Sequence, residues 1–235
     1  MSERAFTNAV RALSRALDAR SSLCTPFVDA LPVEHAAVST LGSPFGSETV
    51  CASDPRAARL DELQIDYGIG PCWDALSTRK PVFAADLDDA SRSAWPELGE
   101  SLKDSGVKSV YAFPLVVGRL DVGAVDLYAT TPAALSPRSI AQASTLADIV
   151  ATQVVRRAIS QLPSSEDDAT DHSGFSRREV HQATGMIIAQ MRVNPDDALL
   201  MLRAHAFAAG RSVREVAADV VARTLSFAPD DTRED

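Results

Sequence analysis

Residues 176–227 read SRREVHQATGMIIAQMRVNPDDALLMLRAHAFAAGRSVREVAADVVARTLSF and decide the fold of the C-terminal part of the chain. Apolar residues recur at helical spacing in three successive segments, which predicts three amphipathic helices. Asn194 can cap the second helix, with Pro195 as its first residue, and Gly210 can end it. Ser212 and Glu215 form a capping box for the third helix. Three apolar stripes joined by short turns predict a small three-helix core.

The same stretch has a basic balance in an acidic chain. It contains seven arginines and five acidic residues, so it carries +2, whereas the whole chain carries −9. A basic module at one end of an acidic protein is typical of a polyanion-binding domain controlled by a regulatory body. Because +2 is a small charge, the charge alone favours a solvated arginine surface over a nucleic-acid site.

Four groups of residues in this stretch resemble the ANTAR domain, an RNA-binding three-helix module of bacterial transcription antitermination regulators. They are QATGMII at 182–188, DDA at 196–198, LR at 202–203 and RSVREVA at 211–217. The family commonly has Lys between the Ala and the Gly of the first helix, and Thr184 occupies that position here. The resemblance implies that the module binds hairpin loops in nascent RNA and stabilises a pair of antiterminator stem-loops.

Ten residues of the module are candidate RNA contacts. A guanidinium binds two phosphate oxygens at once and stacks on bases, and hairpin loops expose unpaired bases. Small residues in the first helix would let the RNA approach closely, although they could equally serve helix packing. The candidates are Arg177, Arg178, His181, Ala183, Thr184, Gly185, Arg203, Arg211, Ser212 and Arg214.

The preceding part of the chain mixes short strands and helices. Strands are predicted at 34–41, 49–53, 81–85, 109–117 and 122–130, and helices at 1–20, 54–65, 73–78, 95–105 and 136–161. A turn at 118–121 joins the last two strands as a hairpin. The fold class predicted for the whole chain is α+β, with helices packed on a mainly antiparallel sheet, followed by an all-α three-helix bundle.

Residues 34–155 resemble a GAF domain of the kind found ahead of ANTAR modules in regulators of the actinobacterial type. The matching segments are IGPC at 69–72, PVFAADL at 81–87, WP at 95–96, GVKSV at 106–110, PL at 114–115 and VGAV at 122–125. GAF domains sense small molecules or other signals and are usually not catalytic, so the resemblance implies a sensor for an unidentified small molecule or partner.

Six polar and aromatic residues are candidates to line the sensor's ligand pocket. Such pockets are mostly apolar and hold a few placed polar groups, although core packing alone would also explain the aromatic residues. The candidates are Cys72, Trp73, Asp86, Trp95, Tyr111 and Phe113.

Composition divides the chain into five segments. They are an N-terminal helix at 1–20, the sensor domain at 21–159, an acidic flexible linker at 160–175, the RNA-binding domain at 176–227 and an acidic tail at 228–235. The long apolar stripe of the helix at 136–161 either covers the sheet or, with the N-terminal helix, forms a homodimer interface. A homodimer would hold two RNA modules together, so that two hairpins could be bound at once.

Several function classes are disfavoured by the sequence. Cys24, Cys51 and Cys72 are odd in number and widely spaced, which argues against a zinc site and against the disulfide framework of a secreted protein. The chain has no apolar run long enough to span a membrane and no signal-peptide core, so we expect a cytoplasmic protein. No metal, cofactor or catalytic group is predicted, since the four histidines are scattered and neither a P-loop nor a nucleophile elbow is present.

Three alternatives stay open at this stage. Residues 195–227 could form a DNA-binding helix-turn-helix. Cys72 could serve a GAF-fold redox enzyme that reduces methionine sulfoxide, although a structural buried thiol is the simpler interpretation. The terminal module could also contact only protein.

Overall fold

The structure is a computed structural model that describes residues 3–16, 21–102, 105–160 and 177–228. The chain divides into two compact units, Met1–Ser176 and Arg177–Asp235. Among the helices that the structure describes, none has both the length and the hydrophobicity needed to cross a lipid bilayer.

The first unit contains helices and strands interleaved along the chain. In chain order they are α1 (Glu3–Ser14), α2 (Thr25–Ala30), β1 (His35–Thr40), β2 (Glu48–Ala52), α3 (Pro55–Tyr67), α4 (Pro71–Thr78), β3 (Val82–Ala84), α5 (Leu87–Ala94), α6 (Pro96–Leu102), β4 (Ser109–Val117), β5 (Leu120–Ala129) and α7 (Pro137–Ser160).

The five strands form one antiparallel sheet in the order β2-β1-β5-β4-β3. Successive side chains of a strand point to opposite faces, so each strand serves two layers. On β4, Tyr111 and Phe113 join the core beneath α1, α2 and α7, whereas Val110 joins the core beneath α3 and α6. The unit is therefore a three-layer α/β/α arrangement with a separate apolar core on each face of the sheet.

The second unit consists of α8 (Arg178–Met191), α9 (Pro195–Ala208) and α10 (Val213–Val221). Asn194 caps α9 by accepting a hydrogen bond from the amide of Asp197, and Ser212 and Glu215 form a complete capping box on α10. Gly210 has a positive φ of 63° just after α9. All three helices contribute buried apolar residues to a single core. The predicted cap residues of α9 and α10 and the three-helix core are confirmed.

The predicted fold class is confirmed, and the local differences have simple causes. The N-terminal helix ends at Ser14 instead of reaching residue 20, and residues 17–20 lie outside the described part. β5 begins at Leu120 because Gly118 and Arg119 alone form the hairpin turn. The short helices α2 and α5 were not predicted. The predicted linker and tail lie outside the described residues, except for Ser160 and Ala228.

Candidate functional site

The solvent face of α8 is the most basic helical face of the second unit. Arg178, His181 and Gly185 are exposed, and their spacing of three and four residues places them on one side of the helix. Arg192 is also exposed, but it is the C-cap residue just after the last turn, with a positive φ of 54°. Gln182 lies on the same side. Val180, Ala183 and Ile187 occupy the opposite side and are buried in the core. The face therefore carries two basic residues and no acid along its line, and a third basic residue, Arg192, follows at the end of the helix.

Gly185 lies in the middle of this basic face and has room around it. A Cβ built on Gly185 would meet nothing within 4 Å. A glycine in a helix interior costs about 1 kcal/mol relative to alanine. Packing within the unit does not require this glycine, so no contact in the core offsets its cost in helix stability. Because Gly185 has no side chain, the backbone of α8 is uncovered between Arg178 and Arg192.

Two of the ten predicted RNA contacts are buried instead. Arg177, the N-cap residue of α8, is 5% exposed, and Ala183 is 0% exposed within the three-helix core. Neither residue can meet a ligand at the surface in this arrangement. Ala183 has the packing role that the sequence left open as its alternative, and Arg177 is buried beside the first turn of α8, so neither residue supports the predicted RNA surface.

Three further candidates have structural partners. Thr184 donates a hydrogen bond from its hydroxyl to the carbonyl oxygen of Val180 at 2.7 Å, within its own helix. Ser212 is committed to the capping box. Arg211 is exposed, and its Nη1 lies 2.7 Å from Asp219 Oδ2. Arg203 on α9 and Arg214 on α10 are half-buried, so the exposed α8 face is the best-formed part of the predicted surface.

A network of polar side chains lies inside the first unit, between the sheet and α3. Gln64 on α3 donates from Nε2 to Asp126 Oδ2 at 2.7 Å and to the hydroxyl of Tyr128 at 3.3 Å. Its Oε1 accepts from the amide of Cys72 at 3.1 Å. Gly70 lies so close that a Cβ there would sit 2.5 Å from Gln64 Oε1. The glutamine therefore links α3, α4 and β5, and the IGPC turn has to contain a glycine beside it.

A second acid extends this network toward the sheet edge. Asp61 on α3 is fully buried and accepts a hydrogen bond from Thr49 Oγ1 on β2 at 2.5 Å. Ser39 on β1 pairs with Thr49 and faces the same side of the sheet. Within the described residues, Ser39 Oγ and Asp126 Oδ1 have no hydrogen-bond partner. Buried polar groups are normally hydrogen-bonded, so these two atoms are exceptions within the network.

Burial and mutual repulsion govern the charge of this network. Burial raises the pKa of Asp126 well above its usual value, and the neighbouring Asp61 raises it further, against hydrogen bonds from Gln64 and Tyr128. Burial likewise raises the pKa of Tyr128, with Asp126 and Asp61 adding to it. Asp126 therefore tends to hold its proton, which makes the interior sensitive to any change that alters its solvation.

We expect Asp126→Asn to raise the melting temperature of the first unit at neutral pH and to flatten its pH dependence. The folded pKa of Asp126 lies above the unfolded one, so its contribution to stability is greatest below pH 3.8 and is lost as pH rises toward the folded pKa. Each unit of the difference corresponds to about 1.4 kcal/mol. Melting curves followed by tryptophan fluorescence between pH 4 and 8 measure this.

The matched control is Asp148→Asn, which removes one carboxylate from the exposed side of α7. This variant should show the same dependence of melting temperature on pH as the wild type. If the melting temperature of the Asp126→Asn variant falls with pH as steeply as that of the wild type, Asp126 is not the responsible group.

The six predicted pocket residues do not line one cavity. Cys72 and Trp73 are residues of α4 and join the core cluster between that helix and the sheet, and Trp95 joins the cluster beneath α3, on the same face of the sheet. Tyr111 and Phe113 lie on the opposite face, in the core with α1 and α7. The prediction of a shared pocket is wrong for these two, because alternate residues of β4 point away from α3.

The remaining polar candidates have local roles. Asp86 is exposed, and its Oδ1 accepts from the amide of Asp89 at 3.3 Å in the first turn of α5. The indole of Trp95 donates to Asp74 Oδ2 at 2.9 Å, and that of Trp73 donates to the carbonyl of Gln64 at 2.9 Å. Trp73 alone of the two tryptophans thus touches the buried network.

A surface cavity of about 580 Å³ lies beside the start of α3 and contains none of the predicted pocket residues. There, His35 Nδ1 lies 2.8 Å from Asp54 Oδ2, and Ser53 donates to the same oxygen at 2.6 Å. Burial opposes ionisation of Asp54, yet these hydrogen bonds hold its pKa below the usual value. The cavity is lined by Thr25, Val28, Glu34, His35, Ser53, Asp54, Pro55 and Arg56.

The cysteines differ from the sequence expectation. Cys24 at the start of α2 and Cys51 on β2 form a disulfide, with a Cα–Cα distance of 6.2 Å. The argument against disulfide bonding is wrong for this pair, because their wide spacing in sequence gave no signal of contact. Cys72 is a free, fully buried thiol. Burial raises its pKa well above the usual value, with Asp126 and Asp61 adding to it, which is opposite to the environment of a reactive thiolate.

Comparison with known families agrees with the division into two units. The model of the GAF domain family matches residues 4–154, and the model of the ANTAR domain family matches residues 175–221. No curated protein matches the chain significantly.

Solved structures resemble the first unit in fold. The GAF domain of a phosphoenolpyruvate-protein phosphotransferase from Acinetobacter has a TM-score of 0.54 at 14% identity, with 72% of this chain and 100% of that chain covered. The chromophore-binding domain of a bacteriophytochrome from R. palustris has a TM-score of 0.51 at 14% identity, with 68% and 62% covered. At these identities the similarity shows the fold alone.

Proposed function

Because the chain belongs to the GAF domain family and carries an ANTAR domain at its C-terminal end, we propose that it is a transcription antitermination regulator. ANTAR domains are RNA-binding antitermination modules, and GAF domains are sensory. In this proposal the C-terminal unit binds hairpin loops in nascent RNA, and the N-terminal unit adjusts that binding in response to a small molecule or a partner.

The observation that carries the proposal is the exposed face of α8. Arg178 and His181 lie on one side of the helix with Gly185, around which there is open space, and Arg192 is exposed just after the end of the helix. Guanidinium groups suit phosphates and the faces of unpaired bases, and a missing side chain permits close approach of the RNA backbone. The basic residues of this face would attract the phosphates of a hairpin loop, and the bare backbone at Gly185 would let the loop come close to the helix.

The buried network of the first unit supports a sensory role. Asp126, Gln64 and Tyr128 connect β5 to α3 beneath a surface that includes the IGPC turn. A ligand or partner that favours one arrangement of α3 and α4 would change the surroundings of a buried carboxylate, whose free energy is sensitive to solvation.

Helix α7 supports coupling between sensing and RNA binding. It packs on the sheet and, near its end, holds the end of the N-terminal helical segment. Gln153 Nε2 donates to the carbonyl of Leu13 at 3.0 Å, and Arg157 Nη2 donates to that of Ser21 at 2.8 Å. The chain continues from α7 towards the ANTAR domain, so a shift of α7 is a direct way to transmit a signal.

A homodimer is part of the proposal, because it would bring two RNA-binding modules to a pair of stem-loops. The sequence pattern suggests the apolar stripe of α7, together with the N-terminal helix, as its interface. Leu146, Val150 and Val154 of that stripe are buried against their own sheet and helices. Ile140 and Ile149 are only half-buried, and Leu162 lies outside the described residues, so α7 has less apolar surface to offer a second chain than the sequence suggested.

The structure gives the DNA-binding alternative less support. A helix-turn-helix protein inserts its second helix into the major groove, with the N-terminal residues of that helix at the bases. The corresponding helix here, α10, has Glu215 in its first turn and Asp219 further along, and Asp219 is paired with Arg211. Acids on this helix would face the phosphates of a duplex, which disfavours binding.

We expect the double change Arg178→Ala, Arg192→Ala to weaken binding of hairpin RNA by about tenfold or more, since a lost charge-assisted hydrogen bond costs about 1.5–3 kcal/mol. The slope of log affinity against log salt should fall by about 1.4, because each phosphate contact to single-stranded RNA contributes about 0.7. The probe is the tightest binder selected from a pool of random-loop hairpin RNAs, titrated at several salt concentrations.

The matched control is Arg4→Ala, which removes an exposed arginine from α1 in the other unit. Its affinity and salt slope should match those of the wild type. An unchanged slope in the α8 double variant would show that these arginines do not touch phosphate, and binding of duplex DNA as tightly as hairpin RNA at equal salt would favour the DNA alternative.

A further inference from the structure

Helix α9 has apolar residues on both of its sides. Ala198, Leu202 and Ala206 face the core of the second unit. On the opposite side, Leu200 is 63% exposed and Phe207 is 60% exposed, two of the few large apolar side chains that stand out into solvent in the described residues. Neighbouring exposed apolar side chains on one side of a helix are suited to contact with a partner, and the outer side of α9 has this character.

The charge and polarity of the exposed side of α9 also change in order along the helix. Asp196 and Asp197 lie at its start, Leu200, Ala204 and Phe207 follow at spacings of four and three, and Arg211 comes just after its end. All six are exposed. The stripe is therefore acidic at one end, apolar in the middle and basic at the other end.

Such a stripe is complementary to itself when it is turned end to end. If two copies of α9 lie antiparallel around a two-fold axis near Ala204, Leu200 of each copy meets Phe207 of the other. Asp196 of each copy then meets Arg211 of the other. Ala204, beside the axis, is small and lets the helices approach closely. A two-fold interface requires one patch to match its own reverse, and this stripe does so in charge and in apolar character.

We propose that α9 is a pairing surface on which the C-terminal units of two copies of this chain associate antiparallel. Acids at one end of the stripe disfavour RNA as the occupant, since they would repel phosphate, whereas a second copy brings arginines to those acids. Arg211 already contacts Asp219 at 2.7 Å, and the remaining N–H donors of its guanidinium can meet a second carboxylate. The pairing leaves the basic face of α8 available.

This inference deepens the homodimer part of the proposed function and rests on the proposed function only there. One helix pair is a small contact compared with stable interfaces, so we expect pairing that depends on concentration unless the chains are also joined elsewhere. Bringing two α9 helices together would fix the separation of two RNA-binding faces, and hence the separation of the hairpins that can be held at once.

Cysteine cross-linking of the full-length chain tests the pairing without RNA, so a failure of RNA binding is a separate result. Ala204→Cys places a thiol next to the proposed axis, and Ala218→Cys places one on the exposed side of α10 as a matched control. Under mild oxidation we expect at least fivefold more disulfide-linked dimer from Ala204→Cys on a non-reducing gel. Equal yields, or a lower yield from Ala204→Cys, would overturn the proposal.

A charge experiment tests the antiparallel arrangement. In the Ala204→Cys background, L200E alone and F207K alone should each lower the yield of cross-linked dimer at least threefold. A mixture of the two variants should recover it, because the introduced carboxylate then faces the introduced ammonium while Leu200 of one copy faces Phe207 of the other. No recovery on mixing would overturn the antiparallel pairing. So would loss of hairpin RNA binding in both variants with unchanged cross-linking, which would make RNA the occupant.

Discussion

Leu202→Ala is expected to unfold the C-terminal unit and to abolish RNA binding while the N-terminal unit stays folded. Leu202 is fully buried at the centre of the three-helix core. A leucine-to-alanine change in a core costs about 2–5 kcal/mol. A unit of this size has about 3–8 kcal/mol of stability in total, at about 0.05–0.15 kcal/mol per residue, so the loss removes most or all of it.

The distribution of aromatic residues makes this result easy to measure. Both tryptophans, Trp73 and Trp95, lie in the N-terminal unit. Tryptophan fluorescence should therefore melt as in the wild type, whereas circular dichroism should show loss of helix at a temperature at which the wild type is folded.

Leu200→Ala removes the same atoms from the exposed side of the same helix. In dilute solution it should melt within a few degrees of the wild type. If the two variants lose helix at the same temperature, Leu202 does not hold the core as described.

Gly123→Ala is expected to destabilise the N-terminal unit by about 3 kcal/mol or more, at the upper end of the cost of overpacking. Gly123 lies on β5 opposite Thr40 of β1. A Cβ on Gly123 would come within 1.9 Å of the backbone oxygen of Ser39 and within 2.8 Å of Thr40 Cα. Because these are backbone atoms, β1 and β5 would have to separate in the middle of the sheet.

Gly118→Ala in the turn of the same hairpin is the matched control. A Cβ on Gly118 would meet nothing within 4 Å, but its φ is 63°, and the left-handed conformation costs a residue with a side chain about 1–2 kcal/mol. Tryptophan fluorescence should show a much lower melting temperature for Gly123→Ala than for Gly118→Ala, with RNA binding retained at low temperature in both. The reverse order would contradict the account of the β1–β5 contact.

Much of the fold could be predicted from local chemistry. Asn194, Gly210 and Ser212 mark the ends of helices because caps act through a few neighbouring backbone groups. Alternating apolar residues and a glycine turn likewise identify the β4–β5 hairpin. Both kinds of signal are confined to short stretches of chain, so they can be recognised without knowledge of the tertiary structure.

The candidate sites were harder to predict because they depend on which way side chains point. Arg177 and Arg178 are adjacent in sequence, yet one is buried and the other exposed. Tyr111 was assigned to a ligand pocket on the strength of its residue type, but the pleat of β4 turns it to the opposite face. Cys24 and Cys51 are joined through the tertiary fold, which brings α2 to the edge strand.

The sequence carries a signal of the buried polar network. Asp126 interrupts the apolar strand VGAVDLYA, and Asp61 and Gln64 are three residues apart on the helix that covers it. Charged residues are almost never fully buried without a partner, so a carboxylate in an apolar strand indicates a buried cluster of polar side chains. Its actual partners, above all Gln64, could be identified only from the packing of α3 on β5.

Sequencing the RNA that is cross-linked to the full-length protein in cells that express it is the most direct test of the central claim. Gly185→Leu provides the matched control, since its side chain enters open space and leucine favours a helix by up to about 1 kcal/mol over glycine. The variant should therefore be at least as stable as the wild type while its α8 face is blocked. We predict that the wild type enriches short paired stem-loops and that Gly185→Leu does not. Recovery of the same RNAs by both proteins, or of no stem-loops by either, would contradict the claim that this face binds RNA.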